Sequence, residues 1–382
     1  MRVCVLHAAN DLRLEERAAA PLLAGQVRVR FGAGGICGSD LHYYFHGRVG
    51  DFAVREPLIL CHEVAGEVSE LGAGVTRVKI GDRVAVNPSL PCWQCRACHA
   101  GRTNLCTRMT FFGSAAVMPH IQGAFQEQLV AHESQCFVVP PSTPFGVAAM
   151  AEPLAVCLHA VQRAGRVLGA HVLITGSGPI GALTCLAARH AGAARITITD
   201  VADPPLAIAR LVGADQTVNT ARRPEEIEPY QADKGQFDIA FEASGNPRAL
   251  ATCLDCTRPG GRIVQLGMLP PGEIALALTK LTPKELDLVG TFRFHEAFGT
   301  AVEGLVSGRL DVTPVLTGTF EANERDAAFA AAADRERHMK VQLVFDASQV
   351  ESATAGCVPS DARVGRTARR RQSIGRNTSQ RR

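Results

Sequence analysis

Four cysteines within fifteen residues form the most specific chemical pattern in the sequence, Cys92-x2-Cys95-x2-Cys98-x7-Cys106. Four thiolates on one short loop can close a tetrahedron around zinc. Because protein ligands would fill all four positions, such a zinc ion would be structural. Iron–sulfur ligation and free thiols are the alternatives, but the quartet is isolated and lacks the Cys-Pro ending of ferredoxin-type clusters. The spacing therefore predicts a structural zinc site.

A glycine-rich turn forms the second pattern, Gly-Ser-Gly-Pro-Ile-Gly, which follows the apolar run VLIT and precedes a helical segment. Strand, turn and helix in this order are the context in which a GxGxxG motif binds dinucleotides. The glycines permit a tight turn and close approach of a pyrophosphate, and the helix N-terminus attracts the phosphates. We predict cofactor contacts from Gly176, Gly178, Pro179, Ile180 and Gly181.

An acidic residue, Asp200, ends the next apolar segment, 22 residues after Gly178. A carboxylate there can accept hydrogen bonds from the adenosine ribose hydroxyls and would repel a 2′-phosphate. The following residues, Val201, Ala202 and Asp203, offer no cation for such a phosphate. This favours NAD as the cofactor, with NADP as the alternative. A helix-capping or turn carboxylate is the structural alternative for Asp200.

Sulfur, nitrogen and oxygen donors on three separate segments form a more dispersed set, Cys37, His62, Glu63 and Glu152. Together they match the ligands of a catalytic zinc site that keeps one position open. Each residue alone is more typical of a core or a surface pair, so the spacing by itself does not predict the site.

A hydroxyl and an imidazole follow Cys37 closely, in Ser39 and His42. Near a metal-bound oxygen they could relay its proton to solvent. Judged from the sequence alone, a turn serine and a surface histidine are the favoured alternative.

Composition sets the frame for these sites. The chain has 382 residues, 46% hydrophobic and 20% charged, which suggests two domains and excludes a disordered protein. It contains no run of 18 apolar residues, and its N-terminus lacks the pattern of a signal peptide. We therefore expect a cytoplasmic protein without a membrane span. In that setting the 13 cysteines indicate metal ligands and small buried residues rather than disulfides.

The pattern of elements changes near residue 150. The first 140 residues alternate with a period of two between glycine-rich connections, which is typical of half-buried strands. After Glu152, wholly apolar strands alternate with helices, which predicts a parallel, doubly wound α/β sheet. The predicted strands of that sheet are His171–Thr175, Arg195–Thr199, Asp238–Glu242 and Arg262–Leu266, and Leu288–Arg293 is expected to follow outside it.

The basic charge is confined to the end of the chain. The formal net charge is +3, and residues 347–382 contain eight arginines and two acidic residues. The rest of the chain is therefore mildly acidic, which argues against a nucleic-acid partner. This segment is rich in Ser, Thr, Arg and Gly, so we predict that it is disordered.

Several motifs in order along residues 2–346 resemble the zinc-dependent medium-chain alcohol and polyol dehydrogenases. The motifs are GICGSDLHYYFHGRVGDF (35–52), HEVAGEV (62–68), the four-cysteine loop, AEPLAV (151–156), GSGPIG (176–181) and GTFRF (290–294). They look most like the sorbitol dehydrogenase branch. Within it, FFGSA (111–115), EASGNP (242–247), QLGMLP (265–270), FRFHE (292–296) and MKVQLVF (339–345) resemble the L-idonate 5-dehydrogenases.

The resemblance implies a GroES-like, β-rich catalytic domain and a Rossmann cofactor domain. The implied division is 1–149 for the first part of the catalytic domain, 150–288 for the NAD-binding domain, and 289–346 for the return to the catalytic domain. Residues 347–382 lie outside the family pattern. The resemblance also implies two zinc ions per chain, NAD or NADP, and a homodimer or homotetramer formed by edge pairing of the cofactor sheets.

The resemblance further assigns roles near the metal. It implies that Cys37 and His62 are direct zinc ligands, that Glu152 binds zinc directly or through water, and that Glu63 is an outer or transient ligand. Asp40 would hydrogen-bond His62 and fix its ring. Ser39 and His42 match the proton-relay positions, Tyr43 and Arg293 match substrate-contacting positions, and Gly267, Met268 and Leu269 would lie near the nicotinamide.

The implied activity is oxidation of a secondary hydroxyl, with L-idonate to 5-keto-D-gluconate as the leading expectation. Sorbitol or xylitol oxidation is the alternative, and a non-catalytic dinucleotide-binding member of the fold is the alternative from another class. Arg293 could meet a carboxylate, but the sorbitol branch has a matching arginine and uses neutral polyols, so Arg293 does not discriminate between the two. His46 and His295 are the additional candidates, because their protonation could favour an acid sugar. Two positions depart from the family: Cys61 replaces the usual glycine before His-Glu, and Pro205 replaces a basic residue.

Overall fold

The computed structural model describes residues 1–346 and Ser348. The predicted disordered tail, residues 347–382, otherwise lies outside the described residues. The strands are Arg2–Ala8 (β1), Asp11–Glu16 (β2), Gln26–Gly35 (β3), Arg48–Val49 (β4), Phe52–Ala53 (β5), Leu58–Ile59 (β6), Glu63–Leu71 (β7), Arg83–Val86 (β8), Ser89–Leu90 (β9), Thr110–Phe111 (β10), Gln128–His132 (β11), Cys136–Val139 (β12), His171–Thr175 (β13), Arg195–Asp200 (β14), Gln216–Asn219 (β15), Phe237–Glu242 (β16), Thr257–Gln265 (β17), Asp287–Gly290 (β18), Leu316–Glu321 (β19) and Lys340–Val344 (β20).

Helices connect and cover these strands. The α-helices are Gly38–His46 (α1), Arg96–His99 (α2), Phe145–Ala149 (α3), Ala151–Ala164 (α4), Pro179–His190 (α5), Asp203–Leu211 (α6), Pro247–Cys256 (α7), Leu281–Lys284 (α8), Ala297–Val306 (α9) and Arg325–Ala333 (α10). The short 3₁₀ segments are Thr103–Leu105, Glu133–Gln135, Pro224–Lys234, Leu278–Lys280, Thr313–Val315 and Ala322–Glu324.

A mixed sheet carries the first part of the chain and its end. Its order is β12-β8-β7-β3-β20-β19, with β11 added along β3. Burial alternates along the first residues of β3, Gln26–Phe31, as the period-two pattern in the sequence predicts, but β7 is buried in its first half and exposed at its end. Strand β20 pairs with β3 through Gln342–Gly35 and Leu343–Gly34. The last described strand therefore lies beside the segment that leads into Cys37.

The second sheet is parallel and has the order β15-β14-β13-β16-β17-β18. Strands β13, β14 and β16 are almost wholly buried, as their continuous apolar sequence predicts, whereas β17 is exposed near its start and buried mainly toward its end. The expected α/β fold with a Rossmann-type sheet is confirmed. The segment Leu288–Arg293 was expected to lie outside this sheet, and that expectation was wrong for its first residues. Strand β18 pairs with β17 in parallel as far as Gly290, because the exposed edge of β17 accepts a sixth strand.

Helices α3 and α4 join the two sheets. The stretch Phe145–Ala164 is the one helical stretch in the described residues that is long and apolar enough to cross a membrane, and 83% of its most apolar window is buried within the fold. Helix α4 contacts α5 and α9 on one side and β7 and β17 on others. It ends at Gly165, whose φ of 81° terminates the helix. The stretch is thus a core helix, and its first turn carries Glu152 into the centre of the molecule.

Candidate functional site

Three potential metal ligands converge where β3, α1 and β7 meet. Cys37 directly precedes α1, and His62 and Glu63 lie at the start of β7. Pairing of Gly35 with Glu63 brings the two segments together, and one ligand atom from each of Cys37, His62 and Glu63 lies within 4.8 Å of the others. A Cβ at Gly35 would lie 1.8 Å from Glu63 Oε2, so only glycine fits there. A thiol, an imidazole and a carboxylate in a largely buried pocket fit the donor set of a catalytic zinc site.

A buried carboxylate holds the backbone of these ligands in place. Asp40 is fully buried and accepts hydrogen bonds from the backbone N–H groups of Cys37 at 2.9 Å and Cys61 at 3.1 Å. Burial raises the pKa of the Asp40 carboxyl, and the nearby charge of His62 opposes that rise. Asp40 therefore fixes the residue before α1 and the residue before His62 together. Its predicted hydrogen bond to His62 itself stays a prediction.

Lys340, on β20, completes the inner site, and the sequence reasoning missed it. Its Nζ lies 2.7 and 2.8 Å from the two carboxylate oxygens of Glu63 and 3.2 Å from the Ile36 carbonyl oxygen. The two side chains are only 3% and 1% exposed. Burial lowers the pKa of Lys340, but the charge and hydrogen bond of Glu63 together with the charges of Cys37 and Glu152 outweigh this effect, so the net pKa is raised. A lysine within the apolar strand MKVQLVF is the signal that could have revealed this buried partner.

Glu152 approaches the same centre without joining the tight group of three. It lies in the first turn of α4 and is 5% exposed. Burial raises its pKa to about 8, His62 opposes this rise, and Glu63 and Cys37 add to it. Its carboxyl is therefore electrostatically coupled to the three clustered residues. Direct or water-mediated zinc binding by Glu152 stays a prediction.

An aromatic wall beside His62 carries the predicted substrate contacts. The Phe111 ring centroid lies 5.4 Å from that of His62, and the Arg293 guanidinium carbon lies 3.9 Å from the Phe111 centroid. The Tyr43 hydroxyl accepts a hydrogen bond from the backbone N–H of Ala115 at 3.1 Å. Burial lowers the pKa of Arg293 to about 10, and the charges of Glu152 and Tyr43 act in the opposite direction. The structure thus brings Tyr43, Glu152 and Arg293 to one side of the cluster.

Helix α1 places the predicted proton relay at the edge of the site. Ser39 is half-buried near the start of α1, and His42 is exposed one turn later. Burial, together with the charges of His46 and Arg335, lowers the pKa of His42. His295 instead lies beside the cysteine-rich loop, where its Nδ1 is 2.8 Å from Thr103 Oγ1. Its suggested role in favouring an acid sugar stays a prediction.

The four loop cysteines cluster as their spacing predicts. One sulfur from each of Cys92, Cys95, Cys98 and Cys106 lies within 4.8 Å of the others. Backbone N–H groups of Cys92 and Arg108 donate to Cys106 Sγ at 3.3 and 3.4 Å. Hydrogen bonds from the backbone N–H groups of Cys98 and Thr107 lower the pKa of the Cys95 thiol to about 5. Burial and the side-chain hydrogen bonds with Cys95 and Cys106 instead raise the pKa of the Cys98 thiol to about 12, so the clustering of the four sulfurs, and not their pKa values, is the observation that fits a structural zinc site.

The glycine turn lies between β13 and α5. A Cβ at Gly176 would lie 2.7 Å from Ser244, and one at Gly181 would lie 1.8 Å from the Gly176 carbonyl oxygen. Gly178, the residue before α5, instead has open space on its side-chain face. The backbone at Gly178 can therefore be approached by a ligand while the turn itself is packed tight. Pro179 and Ile180 begin α5 and direct its N-terminus toward that space.

This turn lines a cleft of about 220 Å³ between the two sheets. Asp200, Cys37 and Lys340 all line this cleft. The sequence reasoning missed its third wall, formed by Arg335, His338 and Met339 before β20. The cleft joins the N-terminus of α5 to the candidate metal site, which is the arrangement that a bound dinucleotide cofactor requires. Gly267, Met268 and Leu269 follow β17 and contact the segment after β16, because Gly245 packs against the Met268 backbone.

Comparison with known proteins agrees with this arrangement. Residues 23–141 match the model of the alcohol dehydrogenase GroES-like domain, and residues 179–307 match that of the zinc-binding dehydrogenases. The chain is 41% identical to L-idonate 5-dehydrogenase (NAD(P)(+)) of Escherichia coli over 318 residues, covering 83% of this chain and 91% of the relative. It is 37% identical to sorbitol dehydrogenase of Arabidopsis thaliana over 341 residues, covering 87% and 92%. The crystal structure of the E. coli L-idonate 5-dehydrogenase superposes with a TM-score of 0.86, covering 90% of this chain and 98% of that one.

Proposed function

We propose that this chain, which belongs to the zinc-binding medium-chain alcohol dehydrogenase family, oxidises L-idonate to 5-keto-D-gluconate. The chain is an oxidoreductase that acts on CH–OH groups with zinc and NAD(P). The observation that carries the choice of L-idonate is the 41% identity to an L-idonate 5-dehydrogenase. The half-buried guanidinium of Arg293 could receive a substrate carboxylate, but the sorbitol branch has a matching arginine, so this residue alone does not decide between the two candidates. Sorbitol-type oxidation is the second candidate, because sorbitol dehydrogenases match almost as well, at 37% and 34% identity.

Among the described residues, Arg293 has cation–π contacts with two aromatic rings, and the acidic group that acts on its pKa is Glu152, through its charge. Its guanidinium lies over Phe111 and Phe292, at 3.9 and 4.9 Å from their centroids. Cation–π contacts of this kind offset only part of the cost of desolvating a guanidinium, by about 0.5–2 kcal/mol. A substrate carboxylate would offer the bidentate, charged partner that arginine prefers. An acid sugar can supply this carboxylate to Arg293, whereas a neutral polyol cannot.

The other residues would prepare the hydroxyl for oxidation. When bound, zinc lowers the pKa of a coordinated hydroxyl, and the nicotinamide accepts the hydride. Cys37 and His62 would hold the metal, and Asp40 keeps their backbones together. The half-buried Ser39 and exposed His42 would carry the hydroxyl proton to solvent. The lowered pKa of His42 keeps its imidazole neutral and able to accept that proton.

Substrate choice is tested by steady-state kinetics on L-idonate, sorbitol, xylitol and L-threonine, each with NAD and NADP. We expect the highest kcat/KM for L-idonate. Arg293→Met should lower kcat/KM for L-idonate by about 100-fold, since truncating one side of a buried charged pair costs roughly 2–5 kcal/mol. The same change should affect sorbitol far less, and Arg293→Lys should keep part of the acid preference. A higher kcat/KM for sorbitol than for L-idonate in the wild type would reject this substrate.

The domain division and assembly belong to the same proposal. Strands before 140 and after 315 share the mixed sheet, which supports a catalytic domain split around a cofactor domain.

Strand β18 is the edge of the parallel sheet, and its Leu288 is 38% exposed. Pairing of two β18 edges would give a homodimer, or a homotetramer with a further contact, and light scattering on the purified chain tests this. All twelve described cysteines are free, which supports a reducing, cytoplasmic location.

A further inference from the structure

The loop after β15 brings an arginine into contact with Asp203, which lies three residues after the Asp200 that lines the cofactor cleft. Strands β14 and β15 are parallel neighbours, and Asp200 pairs in register with Asn219. Their carboxyl ends therefore lie at the same edge of the sheet, where dinucleotides bind. Arg222 Nη1 lies 2.7 Å from Asp203 Oδ2, and Asp203 follows Asp200 by three residues. The three residues directly after β14, Val201, Ala202 and Asp203, carry no positive charge, but the loop after β15 supplies the guanidinium of Arg222.

The buried Asn219 fixes this arrangement. Its side chain is 1% exposed, and its amide donates to Asp203 Oδ1 at 2.7 Å. Its carbonyl oxygen accepts from the backbone N–H groups of Ala221 and Arg222, both at 3.1 Å. Asn219 thus ties the start of the Arg222 loop to Asp203. The Arg222 side chain is 74% exposed and the Asp203 side chain 50%, so their ion pair can exchange partners at little cost.

Asp200 itself is already engaged by the backbone. Its carboxylate accepts hydrogen bonds from the N–H groups of Ser177 at 2.6 Å, Val201 at 2.7 Å and Ala202 at 3.0 Å. Three of its roughly four acceptor positions are therefore used. One position remains for a ribose hydroxyl, and the charge of the carboxylate is partly offset by three N–H dipoles. Asp200 alone is thus a weaker barrier to a 2′-phosphate than a free carboxylate would be.

We propose that Arg222 binds the 2′-phosphate of NADP and that the Asp203 carboxylate competes with this phosphate for the Arg222 guanidinium. With NAD bound, Arg222 keeps its ion pair with Asp203. With NADP bound, the guanidinium turns to the phosphate, a dianion that it can bind through two N–H groups. The balance between Asp200, Asp203 and Arg222 then sets the preference between the two cofactors. The inference rests on the dinucleotide cleft and is independent of which hydroxyl substrate the enzyme oxidises.

Binding of 2′,5′-ADP and 5′-AMP to the zinc-loaded chain, measured by calorimetry, isolates the 2′-phosphate without turnover. Arg222→Gln should weaken 2′,5′-ADP binding about tenfold and leave 5′-AMP binding within twofold. Arg223→Gln is the matched control, because the neighbouring Arg223 is paired with Glu226 at 2.6 Å and the change removes the same charge. Asp203→Asn keeps the oxygen that Asn219 contacts but removes the competing charge, so it should tighten 2′,5′-ADP binding about threefold or more.

The outcomes separate the possibilities cleanly. Selective weakening in Arg222→Gln, with Arg223→Gln unchanged, supports the proposal. Equal weakening in both arginine variants would overturn it in favour of general surface charge. Unchanged 2′,5′-ADP affinity in Arg222→Gln, or no 2′,5′-ADP binding by the wild type, would also overturn it. If the wild-type chain does not bind 5′-AMP, the assignment of the dinucleotide cleft, on which the proposal rests, would be contradicted instead.

Discussion

The buried ion pair between Glu63 and Lys340 should make Lys340→Met one of the most destabilising single changes near the site. The Nζ–carboxylate distances of 2.7 and 2.8 Å correspond to a Coulomb attraction of about 6 kcal/mol at an effective dielectric constant of about 20. Desolvation of both ions offsets most of this attraction when the pair forms. Removing only the lysine leaves a carboxylate that is 1% exposed without its cation. The expected cost is therefore about 3–5 kcal/mol.

Thermal unfolding of the zinc-loaded chain measures this cost. At about 2.1 cal/mol/K of unfolding entropy per residue, a 382-residue chain loses about 4–6 °C in Tm for a change of this size. Zinc is counted in every variant, because Glu63 lies beside Cys37 and His62. Arg309→Gln serves as the control, since the Arg309–Glu303 pair is 54% and 72% exposed and should contribute no more than about 1 kcal/mol.

The double variant Glu63→Gln/Lys340→Met tests the reasoning itself. If the cost comes from an unpaired buried charge, the double variant should be more stable than the sum of the two single variants by about 2 kcal/mol or more. Additive losses would refute the argument, because they would show that each side chain contributes through packing alone. A Tm loss in Lys340→Met no larger than that of the surface control would refute it as well.

Three further changes have expected outcomes. Gly181→Ala should abolish NADH binding in a fluorescence titration, because its Cβ would lie 1.8 Å from the Gly176 carbonyl oxygen; wild-type affinity would contradict the tight turn. Cys61 has a φ of 80°, so Cys61→Gly should be more stable than Cys61→Ala by about 1 kcal/mol in denaturant unfolding, the reverse of the usual order of Gly and Ala. Burial lowers the pKa of His171 in the folded chain. Below about pH 6.5 this histidine is therefore protonated in the unfolded chain but still neutral in the folded one, and the free energy of unfolding decreases as the pH falls. His171→Phe, which keeps the ring contact with Phe237, should lose less Tm than the wild type between pH 7 and 5; an equal loss would exclude this histidine as a source.

Local spacing predicted the parts of the protein that lie close together in the sequence. The four loop cysteines and the glycine turn needed only one loop or one strand–turn–helix unit, and the structure assembles both as expected. The parallel sheet followed from its continuous apolar strands. The catalytic cluster could not be derived in this way, because pairing between β3 and β7 brings Cys37 and His62 together. Only the resemblance to a family placed those residues in one site.

What escaped prediction depends on contacts between distant segments. Lys340 reaches Glu63 across 277 positions of sequence, and no periodicity links two such residues. Strand β15 was not predicted, since its sequence QTVN is short and contains only one apolar residue, and Arg222 was therefore not placed beside Asp203. The position of β18 was misjudged because an edge strand carries little apolar pattern. Contacts between distant segments, rather than local propensity, decided all three features.

Zinc content per chain, counted together with turnover, tests the central claim most directly. The account predicts two zinc ions per wild-type chain, and one in both Cys37→Ser and His62→Ala. Both variants should lose turnover and keep NADH binding, because the glycine turn and the four-cysteine loop are untouched. A wild type with a single zinc ion, or retained turnover in both variants, would contradict the assignment of Cys37 and His62 as ligands of a catalytic zinc.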